Sequence, residues 1–443
     1  MTPITIGIIG LIAFLVLMFL GLPIPFSMLL SGVIGLIILK NPVAAAQMMV
    51  GEITTQFSSY AIPVAPLFGL MGFIACYTGL GANLFEVIDR FIGHWRGGLA
   101  IATEVACAGF GAICGSAPAT IGTMCAVAYP EMRKNGYSPT LAGPAIASGA
   151  NLAALIPPST TFILYGLASD TSVGALFMAG ILPGIVLTAS FGALIWVMAK
   201  RKPELAPPSP KSAWKDRWKS LRGGGVIEIA IIFIISMGGM FAGFFTPTEA
   251  GAVGAFATMV VMIIERRLNW RRFIDALSAS VRLQAMVFML MACATVFSRF
   301  LAVSTLPVKI GKLVSEAMGN GVPQMAILFI IILIYFIMGM FTDMISMMLL
   351  TIPIFHPIVV KTMGYSSLWF GVLIVFLVAV GNITPPVGGG IFMVKGCIAW
   401  DKEATISKMF AGVGYYIVAL FIAIVLIIIF PQIVDFIPGL IYG

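Results

Sequence analysis

Two proline pairs decide most of what this chain can fold into. Pro157-Pro158 follows the tripeptide Gly136-Tyr137-Ser138, and Pro385-Pro386 follows Gly364-Tyr365-Ser366, each member of the second set 228 residues after its counterpart. The same offset relates Gly111 to Gly339, Thr123 to Thr351, Gly143 to Gly371, Ile146 to Ile374 and Ile163 to Ile391. Both pairs lie in apolar surroundings. A proline lacks the backbone donor and crowds the preceding turn, so each pair breaks a helix. In hydrocarbon the freed backbone groups find no water, and such breaks are tolerated only inside protein or along a cavity. Paired breaks at matching places in two halves of a membrane chain point to a transporter binding site.

Composition supports a membrane setting. The chain is 60% hydrophobic and 9% charged, against roughly 25% charged residues in soluble proteins. The expected class is an all-α polytopic membrane protein in contact with the lipid bilayer. The net charge is +8, from 25 Lys+Arg against 17 Asp+Glu. These basic residues sit between apolar segments, where they set topology and meet anionic head groups, so no nucleic acid is expected as a partner. The six cysteines lie in apolar segments without metal-ligand spacing, and His94 and His356 are far apart. Neither disulfide nor metal cluster is expected. Residues Met1 to Leu20 lack a basic region and a cleavage site, and read as a retained span.

Full spans are expected near 4–21, 24–39, 61–81, 173–199, 226–244, 248–264, 284–304 and 409–430. Residues 97–134 and 322–362 are long apolar stretches interrupted at Gly115-Ser116-Ala117-Pro118 and at Phe341-Thr342-Asp343. Each fits two short helices and a bend, a re-entrant hairpin. After each comes a span broken by the proline pair, 139–169 and 366–398. Mixed segments at 43–58, 84–95, 269–281, 307–318 and 401–408 read as interfacial helices. The chain thus divides into a first repeat, 1–199, with scaffold spans in 1–82, and a second, 226–443, with scaffold spans in 226–304 and a terminal span at 409–430. Between them, 200–225 is a basic linker rich in proline and glycine. Five crossings and one non-crossing hairpin per half invert the second half and put both termini on the outer side. All 25 basic residues except Lys40, Lys309, Lys312, Lys361 and Arg299 then lie on the cytoplasmic side, with the linker.

At the first tip, Gly115, Ser116 and Thr120 offer carbonyls and hydroxyls suited to a dehydrated monovalent cation, while amides at a helix start suit a carboxylate or sulfonate. The same small residues also suit close helix packing. At the second tip, Asp343 stands beside Thr342 and near Ser346, and three roles are open to it: cation ligand, cap of the following helix, or proton carrier. Glu104 is a second acid in an apolar stretch, farther from a break. Around the proline pairs, carbonyls of Ala153, Ala154, Gly381 and Asn382 are freed. Ser159, Thr160, Gly388, Gly389 and Gly390 start the next half-helix with free amides. The candidate cation residues are therefore Gly115, Ser116, Thr120, Thr342, Asp343, Ser346, Gly381, Asn382 and Thr384. The candidate substrate residues are Ser116, Asn151, Pro158, Ser159, Thr160, Pro386, Gly388 and Gly389. With no Lys or Arg at either tip, an anion is expected to rest on helix ends, hydroxyls and bound cations. Arg299 is expected to snorkel or pair near the outer interface.

Gly115-Ser116 through Thr120, Gly136-Tyr137 and Ile156-Pro157-Pro158-Ser159 resemble the first half of the large membrane subunit of tripartite ATP-independent periplasmic (TRAP) transporters. Met338 to Asp343, Pro353 and Thr384-Pro385-Pro386-Val387-Gly388 resemble its second half. The resemblance covers nearly the whole chain. It implies an inverted-repeat, elevator-type carrier in a bacterial inner membrane, with two re-entrant hairpins and two broken helices, driven by sodium ions and holding no other cofactor. It also implies two partners, a small four-helix membrane subunit and a periplasmic substrate-binding protein, and a small organic anion as substrate.

Other classes fit less well. An ion-coupled anion carrier without a binding protein is the alternative within transport. A channel usually places its carbonyls or charges around an axis shared by several copies, whereas here both breaks lie in one chain. No nucleophile elbow or phosphate loop points to an enzyme or an ATP-driven pump.

Overall fold

The structure, a computed structural model, describes residues 2–223 and 225–442. Met1 and Gly443, the ends of the two expected repeats, and Gly224 of the expected linker lie outside the described residues. Every regular element among the described residues is a helix. Six helices there are long and apolar enough to cross a membrane, or up to seven if Val64–Tyr77 and Leu80–Ile92, bent by 64°, form one span. Pro3–Phe19, Ile24–Leu39, Gln324–Gly339 and Ser367–Ile383 are apolar but shorter.

The repeated Gly-Tyr-Ser is the joint leading into each broken span. Gly136 and Gly364 hold φ values of 80° and 78°, a left-handed turn that a side chain would strain. Two residues on, the hydroxyl of Ser138 accepts the amide of Thr140 at 3.3 Å and that of Ser366 accepts the amide of Trp369 at 3.4 Å. Each serine thus caps a helix that opens on Pro139 or Ser367. The tyrosine between them locks the joint. Tyr137 accepts the amide of Leu99 at 3.2 Å, and Tyr365 stacks on Trp369 with centroids 4.6 Å apart.

Ahead of these joints lie two helix pairs. Gly98–Cys114 packs on Ala117–Lys134, and Gln324–Gly339 on Met344–His356. Their breaks fall at Gly115-Ser116 and at 340–343, where the sequence places them. The broken spans run Pro139–Gly149, a tighter turn at Ala150–Ala154, then Thr160–Ser169; and Ser367–Ile383, then Gly389–Cys397. Both proline pairs are joined by cis bonds.

One contact is built twice. A Cβ on Gly111 would stand 2.7 Å from the Cα of Ala153, and one on Gly339 would stand 2.6 Å from the Cα of Gly381. Residues 153 and 381 share the 228-residue offset, so the same backbone approach seats each broken span on its own first arm. The far ends cross over. Thr160–Ser169 packs on Met344–His356, and Gly389–Cys397 packs on Ala117–Lys134. Each half's helix pair therefore receives the end of the other half's broken helix. Around this body pack the remaining helices, led by Val64–Tyr77, Pro247–Ile264 and Trp270–Val303, which also pack on one another.

Four expectations change. The interfacial helix at 269–281 and the span at 284–304 form one 34-residue helix, Trp270–Val303. No glycine or proline interrupts it, and at 1.5 Å per residue it runs roughly 51 Å, beyond the ~30 Å hydrocarbon layer. Its charged first turns therefore need not enter that layer. Residues 401–405 are not helical, because their polar groups are engaged elsewhere, and the next helix starts at Ile406 with Thr405 as its cap. The linker, expected only as a basic segment rich in proline and glycine, is strapped down and contains a helix, Trp214–Gly223. Ala206 and Leu205 carbonyls accept the amides of Gly97 and Ser138 at 3.3 and 3.1 Å, and Trp214–Gly223 packs on Leu80–Ile92. Finally, Gln432–Tyr442 is a further helix, packed on Val173–Arg201 beyond the expected last span.

Candidate functional site

The first tip and the first break are fastened to each other. The carbonyl of Gly115 accepts both the amide of Thr160, at 3.1 Å, and its hydroxyl, at 2.9 Å. Any side chain at Gly115 would run into the carbonyl of Pro158. Ser116 opens the second arm in an extended conformation, and the Thr120 hydroxyl donates to its carbonyl at 2.9 Å. Across the proline pair, the Ser159 hydroxyl donates to the Ala154 carbonyl at 2.5 Å and accepts the Phe162 amide at 3.2 Å. It closes one half-helix and caps the next. Gly115, Ser116, Thr120, Pro158, Ser159 and Thr160 are thus one cluster, most of it buried.

The second tip repeats the design with other atoms. The Met340 carbonyl accepts the amide of Val387 at 3.3 Å, fastening tip to break. Thr342 donates to the Met338 carbonyl at 2.9 Å and Thr384 to that of Val380 at 2.6 Å. One oxygen of Asp343, Oδ2, accepts the amides of Ile345 and Ser346 at 3.2 and 3.1 Å. Of the three roles open from the sequence, this geometry is that of the cap. Gly381 lies against Gly339, and Gly388, left-handed at φ 52°, turns the chain after Pro386 into the helix that begins at Gly389.

Two asparagines join the clusters. The Asn382 amide donates to Asn151 Oδ1 at 2.8 Å, and Asn151 Nδ2 donates to the carbonyl of Ala379 at 3.2 Å. Residues 151 and 379 share the 228-residue offset, so this bond joins matching positions of the two sequence halves. A void of about 30 Å³ further brings Ser116 and Thr160 of the first half beside Ile345 of the second tip. The region holds hydroxyls, amide groups and helix ends with no basic side chain among the candidate residues. That donor set suits small ions held by dipoles, with the Asp343 carboxylate as the one charge among the candidate residues.

Sequence reasoning missed a polar lock beside this region. Asp401 Oδ2 accepts from the Tyr129 hydroxyl at 2.8 Å and from Arg133 Nε at 2.7 Å, and Arg133 Nη2 reaches Glu403 at 2.6 Å. Burial of Asp401 opposes ionisation, but the Tyr129 and Arg133 hydrogen bonds outweigh it and hold its carboxyl below the ordinary aspartate range. The only trace in the sequence is the charge cluster Asp401-Lys402-Glu403. Glu104 is fully buried away from the tips, against Gly149 and Cys107, with neither carboxyl oxygen hydrogen-bonded. Arg299 pairs with Glu52 at 3.4 Å, and His356 meets the Ser367 hydroxyl at 2.9 Å.

Residues 11–433 match the family described as the tripartite ATP-independent periplasmic transporter, DctM component. The chain is similar to the ectoine/5-hydroxyectoine TRAP transporter large permease protein UehC of Ruegeria pomeroyi, 31% identical over 97% of this chain and 98% of that one. It is also similar to the 2,3-diketo-L-gulonate TRAP transporter large permease protein YiaN of Escherichia coli, 30% identical over 94% and 95%. Among solved structures, the YdaH transporter of Alcanivorax borkumensis shares the fold, with a TM-score of 0.60, 15% identity and coverage of 88% and 89%.

Proposed function

Because this chain belongs to the DctM family, the large permease component of tripartite ATP-independent periplasmic transporters, we propose that it carries out sodium-coupled uptake of a small organic anion, a carboxylate or sulfonate, across a bacterial inner membrane. The observation that carries this reading is the pair of breaks joined by the Asn382–Asn151 hydrogen bond of 2.8 Å. Irregular backbone in an apolar protein is costly unless buried or lining a cavity, and here it is gathered at one place from both halves. Sodium ions bind at the tips and breaks, drawing on Gly115, Ser116, Thr120, Thr342, Asp343, Ser346, Gly381, Asn382 and Thr384. Their charge then favours the anion, which rests on Ser116, Asn151, Ser159, Thr160 and the helix starts after Pro158 and Pro386.

The hairpins enter the membrane without crossing it, and with the broken spans they move as one body against the surrounding scaffold helices. The crossed packing of each broken span on the other half's hairpin supports such a body. Two inverted units of similar structure give inward and outward states of comparable energy. Both termini lie on the periplasmic side and 200–225 on the cytoplasmic side, in line with the bias of basic residues. The relatives' substrates, ectoine, isethionate and diketogulonate among them, support a solute that carries a carboxylate or a sulfonate. A small membrane subunit and a periplasmic binding protein complete the system.

The test is uptake into proteoliposomes holding this chain and the small subunit, with ectoine, 2,3-diketo-L-gulonate and succinate as labelled solutes. Uptake of one of them is expected only with an inward sodium gradient and only with the binding protein present. Sodium-independent uptake would overturn the coupling. Uptake undiminished without the binding protein would favour a carrier that works alone.

A further inference from the structure

Among the described residues of the scaffold, Gln284, in the middle of Trp270–Val303, is a buried polar side chain, 4% exposed, with neither its oxygen nor its nitrogen hydrogen-bonded. Burying an unanswered amide is unfavourable, and a leucine would pack here without that penalty. Gly69 on the neighbouring helix makes room for it, since a Cβ there would lie 2.5 Å from Gln284 Nε2. The void that Gln284 lines is the one that holds Ser116, Pro118 and Thr160 of the first tip and break, and Ile345 of the second tip. Its volume, about 30 Å³, leaves room for water.

Above the void, the same helix face continues a column. Val287, Met291, Ala294, Ser298 and Ala302 recur at three- and four-residue steps, the spacing of one helix face. They line first the void, then a cleft of about 280 Å³ shared with Leu349 and Leu167, then a mouth of about 1170 Å³ that holds Arg299, Lys312 and Lys361. The column runs away from Arg271 and Arg272 at the other end of the helix. Cations thus stand at its mouth beside Asp170 and Glu52, the latter paired with Arg299, and a neutral donor stands at its floor.

We propose that Gln284 is a substrate-contacting residue, its amide N–H groups donating to the acidic group of an anion that arrives down this column and lies against the hairpin tips. The proposal rests on the transport reading above. A neutral donor suits the task. It answers a carboxylate or sulfonate oxygen, yet leaves no buried charge when the site is empty and does not trap the anion as a lysine would.

The test uses a reporter cysteine and charged thiol probes, so it needs no known substrate. Val287→Cys places a thiol on the void one turn from Gln284. Its modification by the anionic 2-sulfonatoethyl methanethiosulfonate and by the cationic trimethylammonioethyl reagent is followed in proteoliposomes, over the background of the native cysteines. The ratio of the two rates, normalised to a free thiol, should fall about tenfold when Gln284→Leu is added, the worth of one hydrogen bond to a charged group. Gln284→Glu keeps the size of the side chain and should lower the ratio at least as far. A ratio unchanged in both variants, or a Val287→Cys thiol no more reactive than the native background, would overturn the proposal. Wild-type sodium-driven uptake is scored separately. Its failure would remove the transport reading, whereas an unchanged ratio removes only the role of Gln284.

Discussion

Asp401→Ala probes how the two halves are held as one body. Asp401 is 6% exposed and accepts three hydrogen bonds, from Tyr129, Arg133 and the amide of Glu403. Removing the carboxylate strands the hydroxyl of fully buried Tyr129, worth about 1–3 kcal/mol. Arg133 is not stranded, because it keeps Glu403 and the carbonyl of Tyr137, so its lost bond adds about 1 kcal/mol. The sum is about 3 kcal/mol, read as unfolding free energy in mixed micelles. Tyr129→Phe supplies the control. Alone it should cost about 1 kcal/mol; on top of Asp401→Ala it should cost nothing, since no orphaned hydroxyl remains. The pH dependence follows the same group. A carboxyl held below its unfolded value contributes stability above that value, ~3.9, and loses it as pH falls through the folded one. The gap between wild type and Asp401→Ala should therefore narrow at acid pH by its charge-dependent part, since a protonated carboxyl still accepts from Tyr129. Additive costs for the two substitutions, or a gap that does not narrow at all below the folded value, would refute the assignment.

Three further outcomes are expected. Gly111→Ala and Gly339→Ala should each destabilise by about 1–3 kcal/mol, because the new methyl meets backbone at 2.7 and 2.6 Å; similar losses in thermal unfolding would mark the contact as equivalent in both halves. Asn151→Leu removes both the acceptor for Asn382 and the donor to Ala379, and should cost about 2 kcal/mol in the same assay. Thr160→Val deletes the 2.9 Å bond to Gly115 but keeps the amide bond; a loss of about 1 kcal/mol, with a raised sodium half-saturation in uptake, is the expected signature.

The features legible in the sequence are those with a local backbone cause. Gly136 and Gly364 require a left-handed turn, Ser138 and Ser366 cap, and the proline pairs break, so hinge and break positions could be placed from residue type alone. The doubling made the two halves visible for the same reason. What the sequence hid depends on partners distant in the chain. The crossed packing of 160–169 on 344–356 leaves no local mark. Asp401 meets Arg133 across 268 residues, and in isolation looks like any charge at a helix end. The unbroken helix through 270–303 was masked because its charges mimic a boundary, while the absence of glycine and proline was the signal against one. At the site, residue types indicated hydroxyls and helix ends and left three roles open to Asp343, but did not decide which of them its Oδ2 would take.

The central claim is that the paired tips and breaks form a sodium site, and equilibrium binding of radioactive sodium to the purified chain tests it most directly. The wild type is expected to bind sodium saturably and in preference to potassium. Ser116→Ala with Thr120→Val should weaken binding at least tenfold, the effect of removing one or two ligand oxygens. Binding that is absent in the wild type, or unaltered in the double variant, would contradict it.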